Sequence, residues 1–196
     1  MSSDPSVHAP PSPESKGPTR RMVPAGDNRE RLVCDDCGFI LYKNPVVVVG
    51  AVCAHDGKIL LCKRAIEPRT GYWTIPAGYL ELGESTADGA AREAREEACA
   101  EIEIEALLAV YNIPRLSQVQ VIYAARLVAG AAAPGDETAE VRLSAWDDIP
   151  WNDIAFPSVH WALESYRAYA SGAPYTVRGN PPGETGDLHP DGTPLA

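Results

Sequence analysis

Residues 78–100, GYLELGESTADGAAREAREEACA, concentrate side chains that could do chemistry. At about 100° per residue, Glu93, Glu96 and Glu97 fall on one side of a helix. Three carboxylates placed together repel one another and raise each other's pKa unless a positive charge compensates. Hard divalent cations supply that charge and prefer oxygen ligands. Glu84 stands at the helix start, and Gly78 sits in the preceding loop, where a missing side chain lets backbone carbonyls approach a ligand. A helical face rich in Glu and Arg is more often simply solvated, laced with i,i+4 pairs such as Arg92–Glu96. Composition alone does not separate these readings; spacing does.

That spacing resembles the signature of the Nudix family: Gly, five residues, Glu, seven residues, then Arg-Glu-apolar-any-Glu-Glu-any-Gly-apolar. The chain runs Gly78, Glu84 after five, Arg92-Glu93 after seven, Ala94, Arg95, Glu96-Glu97 and Ala98. Every charged position matches. Two positions depart: Cys99 stands where the usual Gly ends the helix, and the terminal apolar residue is only Ala100. A helix that loses its C-cap glycine is expected to lengthen or to end less favourably.

The resemblance implies roles position by position. Glu93, Glu96 and Glu97, with the Gly78 carbonyl, would hold Mg²⁺, or Mn²⁺ in its place. Glu96 is counted among the catalytic residues too. Arg92 would orient the carboxylates, and Glu84 would steady the site or assist a water. The implied reaction is hydrolysis of a diphosphate bond, in which metal ions neutralise the phosphate oxygens and acidify the water. A carboxylate outside the metal's direct ligands then serves as base. Glu137 and Glu140 are candidates, Glu140 being preferred because it directly precedes the expected strand VRLSAW.

Positioning these groups requires a folded scaffold. PVVVVGAVCAH (45–55) reads as a strand buried on both faces, and Asp56-Gly57 turns it into the hairpin partner KILLCKRA (58–65). GYWTIPAGYLE (71–81) is extended and broken by Pro76 and Gly78. From Ser85 to Ala98 the apolar residues are all alanine, which suits a helix lying close against a sheet, with Ser85 and Asp88 capping its start. Strands are expected near 103–113, 117–128 and 140–146, and a closing amphipathic helix over 157–170. The expected architecture is α/β, a Nudix-type α/β/α sandwich with a mixed β-sheet.

The ends read differently. Residues 1–20 are rich in Pro, Ser and charge and are expected to be disordered, as is the Gly- and Pro-rich tail 171–196. Between the first tail and the catalytic domain at 45–170 lies a segment, 21–44, that holds Cys34-Asp-Asp-Cys37-Gly38. It resembles the N-terminal zinc ribbon of a Nudix subgroup that includes enzymes acting on FAD and ADP-ribose. A ribbon needs four ligands, and the second CxxC expected near Gly17–Arg21 is missing, so the ribbon is read as a remnant and structural zinc is not expected.

Arg64 and Arg69, close to Lys63, are candidates for the substrate's phosphates. Tyr72 and Trp73, with Tyr111 and Phe156 behind them, are candidates for stacking on its base, although aromatics in such positions are more often core. The net charge of −10 argues against a protein that grips nucleic acid, but not against an anionic small substrate held through a metal. No apolar run approaches a membrane span, the odd cysteine count reads as reduced thiols, and a cytoplasmic setting is expected. The leading function is Mg²⁺-dependent cleavage of a nucleoside diphosphate derivative, ADP-ribose or FAD first, in a protein that related enzymes suggest could be a homodimer. Hydrolysis of oxidised nucleoside triphosphates and non-catalytic nucleotide sensing are the alternatives.

Overall fold

A computed structural model describes residues 16–172 and 174–186. The chain divides into two compact units, Met1–Asn44 and Pro45–Ala196. The expected disorder of residues 1–15 and 187–196 lies outside the described residues.

In the first unit, β1 (Arg20–Met22), β2 (Arg31–Val33) and β3 (Ile40–Leu41) form an antiparallel sheet, with Arg20 opposite Val33 and Leu32 opposite Leu41. β1 begins inside the stretch expected to be disordered. Asp27 organises the β1–β2 turn, its carboxylate accepting from the Asn28 N–H (2.7 Å), the Arg29 N–H (3.2 Å) and Arg31 Nε (2.9 Å). Cys34 and Cys37 lie in the β2–β3 turn, closed by Gly38 N–H donating to the Cys34 carbonyl at 2.9 Å. Gly17 and Gly38 share a left-handed φ of 74°. Gly38 follows the knuckle cysteines; Gly17 ends Ser15-Lys16-Gly17, which lacks them.

The second unit is built on β4 (Val46–His55), β5 (Lys58–Arg64), β6 (Trp73–Thr74), β7 (Ala77–Tyr79), α1 (Thr86–Ala98), β8 (Ile102–Ile113), β9 (Gln118–Leu127), β10 (Thr138–Ser144) and α2 (Pro157–Ala170). The main sheet runs β10-β5-β4-β9-β8, with β6 on β5 and β7 on β4. Only the β4–β9 pair among these is parallel, so the sheet is mixed. The β4–β5 turn carries Asp56 and Gly57 at φ 47° and 75°, the double left-handed conformation a tight hairpin favours.

Strand alternation sorts two cores. Val49, Ala51 and Cys53 of β4 and Leu60 and Cys62 of β5 join Ala90 and Ala98 of α1. Val52, Ile59 and Leu61 join Trp161, Ala162 and Leu163 of α2 on the opposite face. The result is an α/β/α sandwich. Ala90, Ala94 and Ala98 are wholly buried, and their small volume lets α1 lie close to the sheet beside its acidic face.

The C-terminal segment departs from expectation. Residues 174–186, read as disordered, run along β8. Val110 N–H donates to the Arg178 carbonyl (2.9 Å), and Arg178 N–H donates to the Leu108 carbonyl (3.0 Å). The Asn180 side chain accepts from Asn112 N–H and donates to its carbonyl, both at 2.8 Å, and the Tyr175 hydroxyl donates to the Leu108 carbonyl. Gly- and Pro-rich composition weakens intrinsic structure, but an unpaired strand edge offers backbone partners that order such a segment.

Candidate active site

The site grows from the start of α1. Ser85 caps the helix, its hydroxyl oxygen accepting from Asp88 N–H at 3.1 Å while the hydroxyl donates to the Asp88 carboxylate at 2.6 Å. Glu84, just before the cap, accepts from Glu81 N–H at 2.7 Å and from Arg92 Nε and Nη2 at 3.1 and 2.9 Å. The Arg92 hydrogen bond is the largest cause holding the Glu84 carboxyl below its ordinary range. Both Glu84 oxygens are thus committed to protein partners.

Arg92 uses every donor it has. Besides Glu84, Nη1 reaches Glu93 at 2.7 Å and Glu96 at 2.8 Å, and Nη2 reaches the Tyr79 carbonyl at 2.9 Å. A planar five-donor fork suits this role in a way a lysine would not. The i,i+4 pair Arg92–Glu96 therefore exists, but as one strand of a network that joins the helix to β7.

The three box carboxylates differ in environment. Glu96 is solvent-facing, whereas Glu93 and Glu97 are 7% and 8% exposed. Burial is the leading cause that raises both, with Glu97 pushed up to about 7 against the hydrogen bond it accepts from Ala77 N–H at 3.1 Å. Repulsion between the carboxylates adds to this as a smaller cause. Gly78 lies in β7, paired with Val49, not in an open loop. A Cβ there would sit 2.4 Å from Glu93 Oε1, so the space glycine vacates is filled by the Glu93 carboxylate.

Among the described residues, no three His, Cys, Asp or Glu side chains already converge as metal ligands. Glu93 and Glu96 lean to Arg92, and Glu97 leans to β7. The donors nevertheless fit a hard divalent cation in kind: they are all carboxylate oxygen. In the first unit Cys34 and Cys37 supply two thiols from one turn, half of the four ligands a ribbon zinc needs.

The two candidate bases separate. Glu140 sits in β10 opposite Lys63, its carboxylate 3.7 Å from Lys63 Nζ and 3.9 Å from Arg142. Glu137 lies in the β9–β10 loop and its charge acts on both Glu93 and Glu97. Glu140 is thus aligned with β5 and paired with its Lys63, while the charge that bears on the box acids is that of Glu137.

Arg64 ends β5, its charge bearing on Glu97, with Nε donating to the Pro68 carbonyl at 2.7 Å and the guanidinium 5.3 Å from the Phe156 ring. Arg69 lies 3.7 Å over the Tyr72 ring, forming one stacked unit. Trp73 does not serve as an open platform: it is 4% exposed, with Lys63 and Arg142 over its ring at 5.6 and 4.5 Å. Tyr111 is wholly buried, paired with Ser165 at 2.9 Å. Both are core, because inward-facing positions on a central sheet leave no face for a ligand.

Cys99 ends α1 in the left-handed conformation, φ 47° and ψ 33°, and the helix is not lengthened. Its N–H donates to the Arg95 carbonyl at 3.0 Å, and Ala100 N–H donates to the Ala94 carbonyl at 3.1 Å. Cysteine thus adopts the backbone geometry glycine would supply.

Residues 43–166 match the family model described as NUDIX domain, and residues 15–43 match the one described as Nudix N-terminal. A NUDIX hydrolase of known crystal structure from Nitrosomonas europaea is 42% identical, with a TM-score of 0.76, covering 82% of this chain and 94% of its own. An ADP-ribose pyrophosphatase from Methanocaldococcus jannaschii is 30% identical over 116 residues, 57% of this chain and 69% of that protein. A human 8-oxo-dGDP phosphatase is 35% identical over 108 residues, 54% of this chain and 33% of that protein. No helix among the described residues is long and apolar enough to cross a membrane. With its acidic helix, sandwich and N-terminal ribbon all accounted for by these matches, the chain is a member of the Nudix hydrolase family.

Proposed function

We propose that this chain hydrolyses the diphosphate bond of a nucleoside diphosphate derivative, with ADP-ribose the first candidate and FAD the second. The observation that carries the reading is the intact acidic face of α1, tied by Arg92 to Glu84 and β7. Glu93, Glu96 and Glu97 would hold Mg²⁺, or Mn²⁺ in its place. Bound there, the metal supplies charge neutralisation for the phosphate oxygens and a more acidic water.

The chain's own groups divide the remaining work. Arg92 and Glu84 fix the orientation of Glu93 and Glu96. Glu137 is the base, accepting the proton of the attacking water; its charge already bears on Glu93 and Glu97. Arg64 binds a phosphate of the substrate, and the Arg69–Tyr72 stack offers a cationic, planar surface to the nucleoside end. Likeness to the archaeal ADP-ribose pyrophosphatase supports the first substrate.

The second reading, removal of oxidised nucleotides, rests on the likeness to the human 8-oxo-dGDP phosphatase. A panel of ADP-ribose, FAD, NADH, dinucleoside polyphosphates and oxidised dGTP, assayed with Mg²⁺ and read by product identity, separates the two. AMP with ribose 5-phosphate as the fastest products supports the proposal. Preference for oxidised dGTP by tenfold or more in kcat/KM replaces it with the second reading.

A further inference from the structure

The β9–β10 loop is fastened to the end of α1 through its backbone. Ala133 N–H donates to the Ala98 carbonyl at 2.9 Å, and Gly135 N–H donates to the Glu97 carbonyl at 3.0 Å. These two carbonyls belong to the last turn of the helix, where no intrahelical donor remains for them. The loop therefore supplies what the helix end lacks.

Gly135 touches the helix more closely than any side chain allows. An ideal Cβ on it would sit 1.7 Å from the Glu96 carbonyl oxygen and 2.8 Å from its carbon, where real Cβ contacts stay above 3.0 Å. The obstacle is helix backbone, which cannot swing aside as a side chain can. From this contact the chain turns at once: Thr138 N–H donates to the Gly135 carbonyl at 3.1 Å, closing a four-residue turn with Glu137 at its third position. Ala65 N–H donates to the Glu137 carbonyl at 2.8 Å, which holds the other side of the turn to the end of β5.

We propose that Gly135 is a positioning residue for the hydrolytic reaction: its bare backbone seats the β9–β10 turn on α1 and so fixes Glu137 against Glu93 and Glu97. The inference rests on the reading of Glu137 as the base. Any side chain at 135 must lift the turn off the helix, and Glu137 moves with it. Glu93, Glu96 and Glu97 stay in place, because α1 is held separately by Arg92 and by its alanine face.

A kinetic cycle of G135A, E137Q and G135A/E137Q in the full chain, with Mg²⁺ and the best substrate of the panel, tests this. G135A should lower kcat about as much as E137Q does, on the order of a hundredfold, with KM changed less than about threefold. In the E137Q background, G135A should cost less than about threefold more, because the group it displaces is already disabled. Mn²⁺ binding, measured directly, should stay within about threefold of wild type in G135A, which a general collapse of the helix would not permit.

If E137Q keeps wild-type kcat, the base reading falls and the positioning role falls with it. If E137Q is impaired while G135A is not, or if the two losses multiply, only the positioning role is overturned. Should G135A fail to fold, P134G asks the same question by loosening the turn without adding atoms. A several-fold fall in kcat supports the proposal, and an unchanged kcat overturns it.

Discussion

Two regions of this chain carry metal-site patterns, and they differ in completeness. On α1 every charged position of the pattern is present, and each carboxylate is held by named partners. In the N-terminal unit one knuckle, Cys34 to Cys37, is present, while the sequence Ser15-Lys16-Gly17 lacks its cysteines, and Gly17 and Gly38 share a left-handed φ of 74°. The three carboxylates proposed as metal ligands stand on one helix, α1. The ribbon draws on two separated turns and keeps its strands paired through hydrogen bonds and the Asp27 turn. Pairing of the described ribbon strands thus rests on interactions that involve no cysteine thiol.

Removing the box acids would break that contrast most directly. Glu97→Gln or Glu96→Gln should lower kcat by at least on the order of a hundredfold while the unfolding midpoint changes little. Wild-type rates in both, with Mg²⁺ present, would remove the box from the chemistry and leave two decayed sites. Next in size is the difference between the two later acids. Glu137→Gln should cost on the order of a hundredfold in kcat, and Glu140→Gln less than about threefold, read in parallel assays.

For the ribbon, elemental analysis of protein purified without chelators should find well under one zinc per chain. Cys34→Ser together with Cys37→Ser should leave turnover within about twofold. One tightly held zinc per chain would mean that ligands from elsewhere complete the site. The smallest effect concerns the helix end. Cys99→Gly relieves a left-handed φ of 47° and should stabilise the catalytic unit by about 1 kcal/mol, raising its Tm by roughly 2–4 °C in a thermal scan.

Much of the fold was legible because its periodicities are clean. The β-branched run 45–55, the Asp56-Gly57 turn and the alanine-spaced helix each carry one dominant signal. The box was legible because Arg92, Glu93, Glu96 and Glu97 are fixed relative to one another by a single helix. What sequence could not supply were relations between distant segments. Glu140 looked favourable for its neighbourhood, but the register of β10 against β5 decides where it points, and that register places it opposite Lys63. Trp73 looked like a platform until packing enclosed it. Gly135 carried no signal at all, since its requirement comes from a helix carbonyl nearly forty positions earlier; only its place two residues before Glu137 could have drawn attention to it. The tail was misread for a related reason: composition reports local preference, while its order comes from β8.

That tail has a practical meaning for anyone handling the protein. A version trimmed after the last helix, at Ala170, would look tidy by composition and would strip β8 of its neighbour. The amide and carbonyl groups of Leu108, Val110 and Asn112 that now meet Arg178 and Asn180 would be left open along a long outer strand. Such a strand recruits any chain that can pair with it, including another copy of itself. Removing residues 174–186 should therefore lower solubility, measured as protein lost to the pellet at matched concentration, before it lowers turnover.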